Sequence, residues 1–346
     1  MIAGLDIVEG HESDVVAWDA FVSRASGTYC HAFVWKRIVE KAYGLKTHYL
    51  SIRRDAEWVG ILPLSVMPGM LPWSPRRAVS VPYCNYGGLL VADGADLVQV
   101  RDAALSFLMD KGISRLEVRD LCRPGDSSPS DQVTMILDLP DSTDALLKLI
   151  GGKARNQVRK AEREGLEIRW GREQASDFYA VYADNMGRLG TPVHARAFVD
   201  EILASFGDQA DVLTVRLQGR AVATMLVLKF GDTWVNPIAS SVARFRTLNA
   251  NMLMYWEALR RATQAGAKRF DFGRSTRNSG PYKFKQQWGA AEIPLNYHSY
   301  LNGTQVSAAS TDLYRGRKAA MFAKAWSMFP AAVQNRLGPR IRRYIP

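Results

Sequence analysis

The spacing of apolar and polar positions gives one plan twice along this chain. Tyr49 to Leu64, Y-L-S-I-R-R-D-A-E-W-V-G-I-L-P-L, predicts two strands around an Arg54-Asp55 turn. A short strand near Leu5 to Val8 precedes them, as does a helix opened by His31-Ala-Phe-Val-Trp35 and running to Ala42. Strands over Ala78 to Val81 and Gly88 to Val91 follow, separated by Pro82, Asn85 and Gly87. Leu97, Val100, Ala104, Phe107 and Leu108 then recur at helical spacing, and Gly112 is a fitting C-cap before the strand Arg115 to Val118. From Val212 the order returns as strand, tight turn, strand, with a further strand over Thr233 to Ala239. Met252, Trp256, Leu259 and Thr263 mark a helix that stops at Gly266.

Three residues after Gly266, Arg269-Phe-Asp271-Phe matches Arg115-Leu-Glu117-Val, three residues after Gly112. The same elements in the same order on both sides predict two copies of one α/β domain. R-P-G-D-S-S-P, Arg123 to Pro129, has the composition of a seam, and Val133 to Leu139 reads as the opening strand of the second copy. The expected division is residues 1–122, a linker over 123–131, a second domain over 132–301 and a tail over 302–346.

A chain of 346 residues with 47% hydrophobic content and nine Trp can bury two sizeable cores. Its 45 Lys and Arg against 34 Asp and Glu give +11, which favours anionic partners without choosing between nucleic acid, nucleotide-linked substrates and an anionic membrane surface. Cys30, Cys84 and Cys122 lie far apart and show no C-x-x-C, so they read as free thiols in a reducing compartment. The five histidines have no H-x-x-x-H or H-E-x-x-H spacing, and no metal site is expected. Asp6, Glu9, Glu12 and Asp14 stand where a signal peptide needs basic and then apolar residues, and no segment has the run of about 18 apolar residues of a membrane span. The expected location is the cytoplasm, with any membrane contact peripheral.

The stretch from Arg269 to Pro294 carries the chemistry. Phe270 and Phe272 alternate with Asp271 in a short half-buried strand expected to end at Gly273, and Gly280-Pro281 marks a turn. Arg274, Arg277, Lys283 and Lys285 gather positive charge at a strand end, where open α/β sheets bind ligands. Alternation in Y-K-F-K-Q-Q-W predicts an extended segment, rings beneath and Lys283 with Lys285 together above; a solvated basic loop beside an aromatic core fits the same residues.

F-D-F-G-R-S followed by G-P-Y-K-F-K-Q-Q-W-G resembles the C-terminal signature of the Fem-type (FemAB-related) transferases. The similarity spans roughly residues 30 to 300 and is nearest to FemAB-like proteins associated with exosortase/PEP-CTERM and exopolysaccharide systems. The resemblance implies two tandem acetyltransferase-like (GNAT) domains and transfer of an amino acid from aminoacyl-tRNA to a peptidoglycan-type precursor. It places Lys285 at the family's catalytic lysine, with Arg274, Tyr282 and Lys283 as neighbouring substrate contacts. Asp271 is the nearest candidate proton acceptor, and a structural role suits it better.

Three further basic sites follow. Lys153 to Glu164, K-A-R-N-Q-V-R-K-A-E-R-E, is a helical run with Arg155 and Arg159 on one face; it reads as a solvated surface or, by the resemblance, as a phosphate contact. Arg188, in N-M-G-R-L-G-T-P at a helix end, resembles the arginine with which relatives bind substrate phosphate, although a plain surface arginine fits too. Lys36, beside Trp35, is the corresponding candidate in the first domain. Against a conventional acyl-CoA site, Ser241 to Asn251 has no glycine where pyrophosphate-binding loops place several, which leaves Arg244 and Arg246 for some other anion. In the first copy Ala92-Asp-Gly-Ala-Asp96 is acidic.

Arg315, Arg317, Lys318, Lys324, Arg336, Arg340, Arg342 and Arg343, with Phe322, Trp326 and Phe329, make the tail basic and aromatic. Such a helix lies on an anionic bilayer or caps the second core. The expected activity is acyl transfer, aminoacyl by resemblance, to an amine on a nucleotide- or lipid-linked envelope glycan precursor. No bound cofactor is expected, and aminoacyl-tRNA is the expected donor. The alternatives are an acyl-CoA-dependent GNAT N-acyltransferase and a non-catalytic adaptor of an envelope assembly system.

Overall fold

The computed structural model describes residues 4–69, 75–122, 130–306 and 317–346, so the Arg123 to Pro129 seam and Arg315 lie outside the described residues. The chain forms two compact units: Met1–Ser130 with Leu295–Gly316 and Arg340–Pro346, and Asp131–Pro294 with Arg317–Pro339.

The first unit runs β1 (Asp6–Glu9), α1 (Val15–Arg24), α2 (Val34–Tyr43), β2 (Lys46–Arg54), β3 (Glu57–Met67), β4 (Arg77–Ser80), β5 (Leu90–Val91), α3 (Leu97–Asp110) and β6 (Arg115–Leu121). Its sheet has the order β1-β2-β3-β4-β6, and Leu295 to Leu301 pairs antiparallel with β6. Among its described strands only β4 and β6 are parallel, with Ala78 facing Leu116 and Val79 facing Glu117. The alternation read from sequence is the reason: Leu50, Ile52, Leu62 and Leu64 present one face to Val100, Ala104 and Leu108 of α3. Helix α1 packs Trp18 edge-on to Phe33 and against Tyr49, each pair of rings under 6 Å apart by centroid, at 5.6 and 5.1 Å. The acidic stretch before α3 has a structural use, because Asp96 caps that helix by accepting from the N–H groups of Val98 and Gln99.

The second unit runs β7 (Gln132–Asp138), α4 (Thr143–Leu149), α5 (Gly152–Glu162), β8 (Leu166–Trp170), α6 (Ala175–Arg188), α7 (Arg196–Phe206), β9 (Ala210–Leu217), β10 (Arg220–Phe230), β11 (Thr233–Ser241), α8 (Ala250–Gln264), β12 (Arg269–Thr276) and α9 (Gly280–Gln286). The chain continues as β13 (Ala291–Leu301), β14 (Thr304–Val306), α10 (Arg317–Ser327) and α11 (Ala331–Arg342). Strands β7-β12-β11-β10-β9-β8 are neighbours in that order, and Ala291 to Pro294 pairs with β7. Helices α5 and α8 cover one face through Ala154, Val158, Ala161, Met254, Ala258 and Leu259, while α6 lies against β10 and β11.

The repeat is visible in the topology. In each unit a strand, a long helix and a parallel strand follow one another, β4-α3-β6 and β11-α8-β12, and the second strand also pairs with an antiparallel neighbour. The architecture is mixed α/β, as the pattern predicts. Phe270 and Phe272 sit in the β12 core at no more than 2% exposure; truncating either ring to alanine would cost about 3–5 kcal/mol.

Two expectations fail in the site-bearing stretch. Strand β12 does not stop at Gly273 but continues to Thr276, past an irregularity in its pairing with β7. Y-K-F-K-Q-Q-W is helical from Tyr282 to Gln286, not extended. Ser279 accepts from the Tyr282 N–H as N-cap and Pro281 occupies the first turn, a helix-start signal that outweighs the ring-lysine alternation. On a helix, residues two apart diverge, so Lys283 is exposed and Lys285 is buried.

Candidate functional site

The site is built where β11 and β12 part. Their parallel pairing covers Thr233 with Arg269, Trp234 with Phe270 and Val235 with Asp271, and goes no further, although both strands continue. At that point β12 bulges: Asp271 faces Ile136 and Arg274 faces Thr134, so two residues stand opposite one. Gly273 takes the left-handed φ of +74° that the bulge requires. Asp271 Oδ1 holds the turn, accepting from the Gly273 N–H at 2.7 Å and from Thr134 Oγ1 at 2.7 Å.

The bulge turns two carbonyls toward α9. Lys285 Nζ donates to Gly273 O at 2.8 Å and Arg274 O at 2.9 Å, with only 6% of the residue exposed. Burial lowers its pKa to about 8, Asp271 opposing that shift and Arg274 adding to it. An ammonium has three donors; the carbonyls take two and one remains for an incoming oxygen. Lys285 is therefore a buried, positioned cation. A lysine at a loop surface, the expectation from an extended reading, is not what the fold makes.

Aromatic rings fix this lysine's helix. Tyr255 stacks on Phe272 at 5.5 Å between centroids and meets Phe284 edge-on at 5.0 Å, and Trp288 is fully buried beside them. Asn236, the first β11 residue past the parting, donates to Tyr255 Oη at 2.8 Å. Burial pushes the Tyr255 phenol well up, so it stays neutral. Sequence reading missed Asn236 and Tyr255; an Asn set among Trp234, Val235, Pro237 and Ile238 was the available signal.

The other expected residues divide. Tyr282 and Lys283 share α9 with Lys285, and Arg274 supplies one of its carbonyls. Tyr282 Oη donates to Glu292 at 2.7 Å, and that bond raises its pKa. Arg188, exposed at the end of α6, donates to Asn185 Oδ1 at 2.9 Å, and Asn185 donates in turn to Ser240 Oγ at 3.2 Å on β11. Arg188 is thus tied to the same strand as the parting. Arg155 and Arg159 do lie on one helix, but Arg155 Nη1 donates to Leu147 O and Ile150 O at 3.1 and 3.0 Å, capping α4. Arg159 is exposed. Lys36 belongs to the first unit and pairs with Glu40 at 2.8 Å along its own helix.

Within Ser241 to Asn251, Ala243–Leu248 forms a two-turn 3-10 segment before α8, with Arg244 lying over the Phe245 ring at 4.8 Å. Cys30, Cys84 and Cys122 are free thiols, the first two buried. Among the described residues no cluster of three or more His, Cys, Asp or Glu is placed to hold a metal ion. No helix among them is long and apolar enough to cross a membrane.

Residues 152–286 match the model of the acetyltransferase (GNAT) domain. No curated protein matches the chain. Among solved structures, FemX superposes with a TM-score of 0.67 at 15% identity, covering 89% of this chain and 98% of that one. A tandem GNAT protein from the clavulanic acid biosynthesis pathway gives 0.56 at 12% identity, covering 87% and 99%. The C-terminal domain of a protein described as a lysylphosphatidylglycerol synthetase from Agrobacterium fabrum gives 0.54 at 13%, covering 89% and 97%. The fold is a pair of GNAT-like α/β domains, and the parted strands β11 and β12 lie at the heart of the second.

Proposed function

We propose that this protein is an acyltransferase of the Fem type that moves an aminoacyl group onto an amine of a nucleotide- or lipid-linked envelope precursor. The observation that carries this reading is Lys285, a buried ammonium held by two carbonyls at the strand parting with one donor to spare. Amine attack on an ester carbonyl forms a C–N bond and a tetrahedral oxyanion. Collapse breaks the ester C–O bond, and the departing hydroxyl takes up the proton that the amine loses. A fixed donor beside the oxyanion binds the transition state more tightly than the ground state. No nucleophilic side chain is needed, because the amine attacks directly.

The choice of donor rests on the loop before α8, with acyl-CoA as the alternative. An acyl-CoA site uses glycine-rich backbone to approach a pyrophosphate, and Ser241 to Asn251 has no glycine and is occupied by a 3-10 turn. That favours aminoacyl-tRNA over acyl-CoA. Support for a phosphate-bearing acceptor comes from Arg188, exposed and linked through Asn185 to β11.

The test offers labelled aminoacyl-tRNA and labelled acyl-CoA to the purified protein with nucleotide- and lipid-linked amine acceptors. Transfer from the charged tRNA alone is expected. Transfer from acyl-CoA alone would overturn the donor, and no transfer from either, with full cellular function of Lys285→Met, would replace the enzyme by an adaptor.

A further inference from the structure

The α10–α11 hairpin buries one face and leaves the other bare. Trp326 is 4% exposed, stacked on Phe322 with centroids 5.9 Å apart. Gln334 Nε2 donates to Trp326 O at 2.7 Å and to Gly187 O at 3.4 Å, which ties both helices to the end of α6. At Gly190 the approach is so close that a Cβ would stand 2.1 Å from Ala323 O. The hairpin is therefore set in one orientation on its unit. Phe322 and Phe329 both pack on the Trp326 ring yet stay 43% and 49% exposed, Met321 on α10 and Met328 just past it are 71% and 79% exposed, and Leu189 beside the α6 end is exposed as well. The phenylalanine edges cover Trp326, but two methionines this exposed beside them on a fixed hairpin bury little of the unit itself.

We propose that this face docks on an anionic lipid bilayer, its Met and Phe side chains entering the headgroup boundary. Charge selects the occupant. Residues 317–346 contain no Asp or Glu, and Lys324 and Arg336 stand exposed on the same two helices. Apolar side chains accompanied by basic ones match a bilayer whose surface is negative. A second copy is a poorer match, because an isologous contact would bring the same cations face to face. The inference does not depend on the acyl-transfer reading.

The test is flotation of the full chain with vesicles of phosphatidylglycerol in phosphatidylcholine and with phosphatidylcholine alone. Binding to the anionic vesicles only, weakening as salt is raised, is expected. A triple variant, Met321→Ser with Met328→Ser and Phe329→Ser, should lose about tenfold or more in affinity while circular dichroism shows the fold retained. Lys324→Glu with Arg336→Glu should weaken binding and flatten its salt dependence. Three results would overturn the proposal: no binding by the natural chain, equal binding to neutral vesicles, or unaltered binding by the triple variant. Concentration-dependent dimerisation abolished by the triple variant, without vesicle binding, would assign the face to a second copy instead.

Discussion

Strands β6 and β12 occupy the same step of the repeat, and each carries an acid at its third residue, Glu117 in one and Asp271 in the other. In the first unit that acid is closed by cations of its own sheet. Glu117 Oε1 accepts from Arg119 Nε and Nη2, both at 2.7 Å, and Arg77 stands 3.8 Å from Oε2. Arg119, 5% exposed, also donates from Nη1 to Cys84 O at 3.4 Å and lies over the Tyr297 ring. In the second unit the acid instead holds a bulge, and the cation comes from α9 and gives its hydrogens to two carbonyls. A charge met by an adjacent opposite charge is spent on the fold. A charge held by neutral acceptors, with a donor left over, is available for chemistry.

The sharpest way to break this contrast is to remove each acid or cation in turn. Glu117→Gln strands a buried guanidinium, so stability should fall by about 3 kcal/mol or more in a denaturant titration, while activity per folded molecule stays unchanged. Lys285→Met should act the other way round. Turnover should drop about a hundredfold, equivalent to about 3 kcal/mol of transition-state stabilisation, with substrate binding retained. Its stability should fall by only about 1–3 kcal/mol, because the Gly273 and Arg274 carbonyls lose their donor. Normal turnover in the folded variant would return Lys285 to the same structural class as Arg119.

Much of this comparison was legible in the sequence. Period-two alternation gave the β2–β3 and β9–β10 hairpins, Gly112 and Gly266 gave the ends of α3 and α8, and the Arg115 and Arg269 matches gave the repeat. The site was legible as residues but not as geometry. Four side chains in Y-K-F-K alternate, and over so short a run helix and strand patterns overlap. Only the Ser279 and Pro281 cap decides, and only a helix buries Lys285. Arg155 shows the opposite limit. Spacing placed it on the Arg159 face, but its guanidinium reaches back across the α4–α5 turn to α4, a contact that periodicity within one helix does not encode.

The two arginines sharpen the contrast on a smaller scale. Arg188→Ala should weaken binding of a UDP-sugar or polyprenyl phosphate by about 1.5–3 kcal/mol in calorimetry, because its bond to Asn185 leaves other donors for a phosphate. Arg155→Ala should leave that affinity unchanged and cost about 1 kcal/mol of stability, the loss of a helix C-cap. Reversal of the two outcomes would move the phosphate contact from α6 to α5.

The smallest effect expected concerns pH, and it asks whether Asp271 serves the lysine electrostatically as well as holding the bulge. Lys285 titrates near pH 8, below its usual 10.5, because burial disfavours the ammonium more than Asp271 favours it. Between those two values the unfolded chain binds the additional proton. Stability should therefore rise with pH across the window from about 8 to about 10.5, and the cost of the buried ammonium is present in full below it. Activity that needs the ammonium runs the opposite way and should fall as pH rises through about 8. Asp271→Asn keeps an oxygen for the Gly273 N–H and removes the negative charge. The lysine's pKa should then move further down, taking the alkaline limb of kcat/KM and the lower edge of the stability window with it. Lys285→Met should abolish that window altogether. An alkaline limb in the same place for Asp271→Asn and the natural chain would mean that Asp271 acts on the bulge alone, as Glu117 acts on its sheet.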